Sequence, residues 1–248
     1  EPLTNLIRAA LDVDGGDYID VGANIGVFCI AAADILRARN GRALAIEPIP
    51  SNVRFINDSI AANQLEDRIE VAACAVGDTN GTLQLSQLIY GETVNAIPLA
   101  WGAGGSTAGE ILRWTEPSRR AAGTMLIEVP MTTIDELAER KGIRHARFLK
   151  IDVEGAELFV LRGAIDLLKV QRPIVYAEFH QELMAANRTT VEAIAAFCTS
   201  VEYRLCYLTD SGRITSNRPA SDAKYLDAVL VPANPDAQQR GLIDSLTA

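Results

Sequence analysis

Basic residues are in short supply in this chain. Twenty-three lysines and arginines face 32 acidic residues over 248 positions, a formal net charge of −9. A phosphate backbone is bound by a basic face, so nucleic acid is not expected as a partner. Cysteine is scarce as well. Cys29, Cys74, Cys198 and Cys206 are scattered through apolar segments without a Cys-x-x-Cys pair. They read as buried thiols of a reducing compartment, neither a zinc site nor a disulfide frame, and the expected location is cytoplasmic. No apolar run is long enough to span a membrane. Histidine is limited to His145 and His180, which narrows the choice of a base that titrates near neutrality. The chain begins at Glu1 without a methionine, which implies trimming or processing and leaves a lost targeting segment open.

What is present points to one α/β domain. Hydrophobic residues make up 48% of the chain, enough for a large core. Strand-like and helix-like segments alternate, which predicts a parallel sheet covered on both faces. Tyr18–Val21, Ala43–Ile46, Ile69–Ala73, Arg147–Ile151 and Pro173–Ala177 read as its strands. Helices are expected from Val27 to about Leu36, over 52–63, after a cap at Thr132 with Asp135 three residues on, over 156–168, and near 190–198. Tyr203–Leu208 and Tyr225–Val231 follow each other without a helix between, which predicts an antiparallel hairpin at one sheet edge. Thr82–Ser86 alternates like a half-exposed strand. From Gln87 to about Gly123 the pattern dissolves into glycine-rich sequence with Trp101 and Trp114, an insertion or lid.

The string Tyr18-Ile-Asp-Val-Gly-Ala-Asn-Ile-Gly26 carries the chemistry. It reads as a strand, a glycine turn and a helix start, where a ligand would meet backbone N–H groups. The dinucleotide fingerprint Gly-x-Gly-x-x-Gly uses its second glycine to admit a pyrophosphate. Asn24 stands there instead, which argues against NAD or FAD and leaves room for a nucleoside without phosphates, of which S-adenosylmethionine is the common one. Glu47 ends the second strand roughly twenty residues on, where a carboxylate accepts from a ribose diol. Asp20 is placed near a cationic sulfonium and α-amino group. A generic βαβ unit, with Glu47 as a solvated strand end, is the alternative.

With these residues in order the chain resembles the FkbM-type S-adenosylmethionine-dependent methyltransferases. The resemblance rests on Ile19–Gly26, Glu47-Pro-Ile-Pro-Ser-Asn52, Thr133-Ile-Asp135, Leu149-Lys-Ile-Asp-Val-Glu-Gly-Ala-Glu157 and Val160-Leu-Arg-Gly163. It implies a class I Rossmann-like fold: a seven-stranded, mostly parallel sheet with a C-terminal antiparallel hairpin and helices on both faces. It also implies methyl transfer to oxygen, on sugars or natural-product hydroxyls, and leaves the acceptor open. Members often carry more sequence before the first strand. Only Glu1 to Asp17 precede it here, so one wall of the site is expected to be missing.

Roles follow from ligands binding beyond the carboxyl ends of strands. Asp20, Gly22, Ala23, Asn24 and Gly26 would face the methionine moiety, and Glu47 the ribose with Pro48 beside it. Ala75 and Val76 would line the adenine, with Asp78 near its exocyclic amine. Asp152 would sit near the transferring methyl. An alcohol acceptor must lose a proton, so a base is expected. His180, after the fifth strand, is one candidate, with a structural histidine as its rival. Glu154 is the other, with stabilisation of a helix dipole, shared with Glu157, as its rival. Asp152, Glu154 and Glu178 end adjacent strands and could hold Mg²⁺, so a divalent metal stays open. An N-methyltransferase, a non-catalytic nucleoside-binding protein and a NAD(P)-dependent oxidoreductase are the competing functions. The oligomeric state is not legible.

Overall fold

The computed structural model describes residues 2–90, 93–98, 124–219 and 223–247. Eight strands form the main sheet: β1 (Asp17–Val21), β2 (Ala43–Ile46), β3 (Ile69–Ala72), β8 (Ala146–Ile151), β9 (Ile174–His180), β10 (Tyr203–Leu208), β11 (Ile214–Thr215) and β12 (Tyr225–Pro232). Their order is β11-β10-β12-β9-β8-β1-β2-β3. The strands from β3 to β9 pair in parallel, and β12 inserts antiparallel between β9 and β10. The eighth strand is the two-residue β11 on the edge, so the sheet is one strand wider than the expected seven. The predicted hairpin is the β10–β12 pair, with β12 lying inside the sheet and not at its edge.

Because successive strand residues face opposite sides, each strand feeds two cores. Ile19, Val21, Leu149, Ile151, Val175 and Ala177 pack under helices α5 (Ile134–Arg140), α6 (Glu157–Arg162), α7 (Ile165–Val170) and α9 (Val191–Ser200). Tyr18, Ala43, Ala45, Phe148, Tyr176 and Val229 face the other side. There α1 (Pro2–Asp14), α2 (Val27–Ala31), α3 (Ala33–Ala38), α4 (Pro50–Ala62) and α10 (Ala237–Thr247) cover them. Fully burying side chains of this size is worth roughly 1.5–3 kcal/mol each, which makes this two-sided arrangement the main stabiliser of the sheet.

Several elements differ from the sequence expectation. The helix after Gly26 is broken at Ala32 (φ −90°, ψ −5°) into α2 and α3, and the helix over 156–168 is broken at Gly163–Ala164 into α6 and α7. Thr132 is the buried last residue of β7 (Thr124–Thr132). Its neighbour Thr133 caps α5 instead, its hydroxyl accepting from the Glu136 N–H at 3.2 Å.

A second sheet, ordered β4-β7-β5-β6, joins β4 (Ala75–Val76), β5 (Gly81–Tyr90), β6 (Thr93–Pro98) and β7. Residues 87–90 therefore continue a strand and 93–98 form its hairpin partner, inside the segment expected to be irregular. The remainder of the proposed lid, residues 91–92 and 99–123 with Trp101 and Trp114, lies outside the described residues. No helix among the described residues is long and apolar enough to cross a membrane.

Candidate active site at the carboxyl edge of the sheet

The chain runs outward from β1 to β2 and β3, then crosses back to place β8 on the other flank of β1. The strand order reverses between β1 and β8, and ligands of such sheets bind beyond the carboxyl ends at this point. Two tight loops meet there. Gly22 (φ +73°) has no room for a side chain, since a Cβ would lie 1.9 Å from the Asp152 carbonyl oxygen. The glycine turn is thus pressed against the loop after β8 by protein backbone.

The turn also uses its own donors. The N–H groups of Gly22 and Ala23 both donate to the Ile46 carbonyl at 3.0 Å, and that of Gly26 donates to Ala23 at 2.8 Å. Asn24 (φ +51°) donates its N–H to Glu47 Oε2 at 2.9 Å. The expectation that this turn offers its N–H groups to a ligand is therefore corrected for these four residues, and α2, at five residues, adds no long helix behind them.

Glu47 is only 4% exposed. Besides Asn24, its carboxylate accepts from the Ile49 N–H at 3.0 Å and the Asn52 side-chain amide at 3.2 Å. Burial pushes its carboxyl up to about 7, against the pull of those N–H groups. It is a held carboxylate at a strand end and not a solvated one. Pro48 beside it is half-buried.

Asp20 lies beneath the surface of this edge. It is fully buried, with Oδ1 3.2 Å from Lys150 Nζ, and Cys29 Sγ donates to its Oδ2 at 3.4 Å. Its carboxylate is met inside the protein by the Lys150 ammonium and the Cys29 thiol. Lys150 reaches the Gly22 carbonyl at 3.3 Å and Asp152 Oδ2 at 3.5 Å, and lies 5.3 Å from the Phe28 ring centroid. Burial opposes its charge, but Asp20 and then Asp152 outweigh burial, and the ammonium is held more firmly than a free lysine's.

The β1–β8–β9–β12 register explains the grouping. Asp20 pairs with Lys150 and Lys150 with Tyr176, one row across the sheet. Two residues further, on the same face, come Asp152, Glu178 and, opposite Glu178, Asp227. A cleft of about 290 Å³ opens over these rows. Lys150, Asp152, Tyr176, Glu178, Asp227 and Asp210 supply its polar lining. Pro2, Leu3, Phe28 and Leu208 supply its apolar wall, so α1 lines one side of a cleft expected to lack a wall.

The remaining candidates fall elsewhere. Ala75 and Val76 are buried, Ala75 against Ile49 and Leu83 and Val76 in the main core. Any contact with an adenine would come from their backbone. Asp78 is half-buried just before β5. Glu154 sits on the Asp152–Gly155 loop in the left-handed region (φ +55°). His180 is 4% exposed and outside the cleft lining. Its Nδ1 accepts from the Leu183 N–H at 3.3 Å, capping α8 (Gln181–Ala186), and its ring stands edge-on to Tyr225 at 4.7 Å. His145 lies at the opposite end of β8, before that strand begins. Among the described residues no His, Cys, Asp and Glu side chains converge as a metal-binding group.

Sequence reasoning missed Tyr176 and Asp227, whose side chains hydrogen-bond, because they are brought together only by strand pairing. Glu157, expected as a helix-dipole residue, opens α6. It is fully buried and accepts from the Gly155 N–H at 3.0 Å, and burial pushes its carboxyl up to about 8.

The fold and the reversal point define a doubly wound α/β domain of the methyltransferase kind. A family profile described as the methyltransferase FkbM domain matches residues 20–205, well over half of the chain, and the chain belongs to that family. The methyltransferase sdnD of Sordaria araneosa is 25% identical over 169 residues, covering 58% of this chain and 59% of its own length. The crystal structure of a methyltransferase FkbM from Methylobacillus flagellatus KT superposes with a TM-score of 0.52 at 15% identity. It covers 88% of this chain and 44% of that one, and supports the fold. The chain thus spans about half the length of these relatives.

Proposed function

We propose that the domain binds S-adenosylmethionine at the β1/β8 reversal point and transfers its methyl to a hydroxyl of a small molecule such as a sugar. The observation that carries this reading is Glu47, a buried carboxylate fixed at the end of β2 by the N–H of Asn24 from the glycine turn. A carboxylate only accepts hydrogen bonds, which suits a ribose diol. The four turn N–H groups consumed internally leave little to cradle a pyrophosphate, which favours a nucleoside over a dinucleotide. In this reading Gly22, Ala23, Asn24 and Gly26 flank the methionine moiety, and Glu47 and Pro48 the ribose. Backbone at Ala75 and Val76, with Asp78, borders the adenine, and Asp152 lies near the methyl. The family membership and the name of the sdnD relative support the reaction class.

When bound, the cofactor supplies an electrophilic methyl on a sulfonium. The protein's own task is to hold the acceptor oxygen in line with it, which provides much of the acceleration. The test is incubation of the protein with S-adenosylmethionine and methyl glycosides, glucosamine and glucose 6-phosphate as probes. The expected result is release of S-adenosylhomocysteine with one methyl added to an oxygen of a methyl glycoside. Methylation confined to nitrogen would replace this reading with an N-methyltransferase.

A further inference from the structure

We propose that Glu178 is the general base of this site, and that the cleft over β8, β9 and β12 admits acceptors that donate hydrogen bonds and carry no negative charge. The inference rests on the reading above and deepens it.

The geometry separates Glu178 from its acidic neighbours. Asp152 stands 3.5 Å from Lys150, and Asp227 accepts from the Tyr176 hydroxyl. Asp20 is buried beneath them with Lys150 and Cys29. Among the described residues, no side chain or N–H donates to the Glu178 carboxylate, yet it lies in the same cleft near the carboxyl end of β9. A carboxylate in that position can accept from a hydroxyl that enters the cleft.

The charges around it set its proton affinity. From β8 comes Lys150, from the following loop Asp152 and Glu154, and from β12 Asp227; Tyr176 is on its own strand and Asp210 on the loop after β10. Burial, then Asp152, Asp227 and Glu154, push the Glu178 carboxyl up to about 7, with Lys150 pulling the other way. Such a group is basic enough to take a proton while still ionised for much of the time at neutral pH. The same ring of carboxylates would repel a phosphorylated or carboxylated acceptor. Lys150, the cation in the lining, is already committed to Asp20 and Asp152.

The step balances without another reagent. The acceptor oxygen forms a bond to the methyl carbon as the carbon–sulfur pair returns to sulfur. The hydroxyl proton passes to a Glu178 carboxylate oxygen. One cation and one carboxylate become a neutral thioether and a neutral acid.

His180 is the competing base, and the test compares the two. With a methyl glycoside as probe and S-adenosylmethionine saturating, wild-type kcat/KM should rise with pH through the neutral range and then level. E178Q should lose that rising limb and at least about 100-fold in kcat, while S-adenosylmethionine affinity measured by calorimetry stays within a few-fold. H180N, which retains a capping side chain, should keep the rising limb whatever its turnover. Glucose 6-phosphate should react far more slowly than the methyl glycosides. An E178Q enzyme with the wild-type limb, or an H180N enzyme without it, overturns the inference while leaving the function intact. A wild type that binds the cofactor but methylates no neutral probe overturns the acceptor class and the base together. A wild type that does not bind the cofactor defeats the function itself.

Discussion

Asp227 stands directly opposite Glu178 in the antiparallel β9–β12 pairing, and both carboxylates open into one cleft. Like charges in that register repel and cost stability, so their retention at the carboxyl edge has to be weighed against what they do there. The Tyr176 hydroxyl, donating to Asp227, answers one of the two. The other, Glu178, is the base proposed above.

The Asp20–Lys150 pair beneath them is buried on both sides. Removing one member leaves an uncompensated charge in the core, which costs about 3–5 kcal/mol. K150M and D20N should each lower the denaturation midpoint accordingly. The double variant should recover much of the loss, because neither charge is then stranded. A denaturant melt of the three variants measures this, and strictly additive losses would contradict the pairing.

Glu157 ties stability to pH. Burial pushes its carboxyl up to about 8 in the folded chain, from an ordinary 4.5. Between these values the folded state keeps a proton that the unfolded state has released, so stability falls as pH rises through that window and is level above it. Thermal melts should show a higher midpoint at pH 5.5 than at 8.5, a contrast that E157Q reduces. A difference of about 1 kcal/mol shifts the midpoint by roughly 2–4 °C in a chain of this size. An E157Q profile parallel to wild type would remove Glu157 from the account.

Three glycines should respond differently to alanine. A Cβ at Gly22 meets the Asp152 carbonyl and one at Gly163 meets the Gly77 carbonyl, each at 1.9 Å. G22A and G163A should each cost about 3 kcal/mol or more, since backbone must move. Gly241 in α10 is exposed with nothing within 4 Å, so G241A should stabilise by roughly 0.5–1 kcal/mol. Chemical denaturation ranks the three, and a harmless G163A would contradict the observed packing.

Local chemistry made part of this molecule legible in its sequence. Gly22 must be glycine for a backbone contact, and Glu47 is reached by a short βα step, so both leave a mark in one stretch of chain. Other motif residues turn out to be packing devices. Asp135 accepts from the N–H groups of Asp166 and Leu167 at the start of α7, and Gly163 admits Gly77. What sequence could not carry are contacts made by strand register alone: Asp20 with Lys150, and Tyr176 with Asp227, lie far apart along the chain. The breaks at Ala32 and Gly163–Ala164 depend on how α2, α3, α6 and α7 bend over the sheet, which apolar spacing does not encode. Helix α1 did leave a signal, the spacing of Leu3, Leu6, Ile7, Ala10 and Leu11, which a reading centred on the glycine turn passes over.

Calorimetric titration with S-adenosylmethionine and, separately, NAD⁺ tests the central claim most directly. E47A serves as the control, and a thermal melt checks that it folds, because Glu47 also holds the turn through Asn24 and Ile49. The account predicts micromolar binding of S-adenosylmethionine by the wild type, strongly weakened in folded E47A, and no comparable binding of NAD⁺. Binding of NAD⁺ alone, or S-adenosylmethionine binding unaffected by the loss of Glu47, would contradict it.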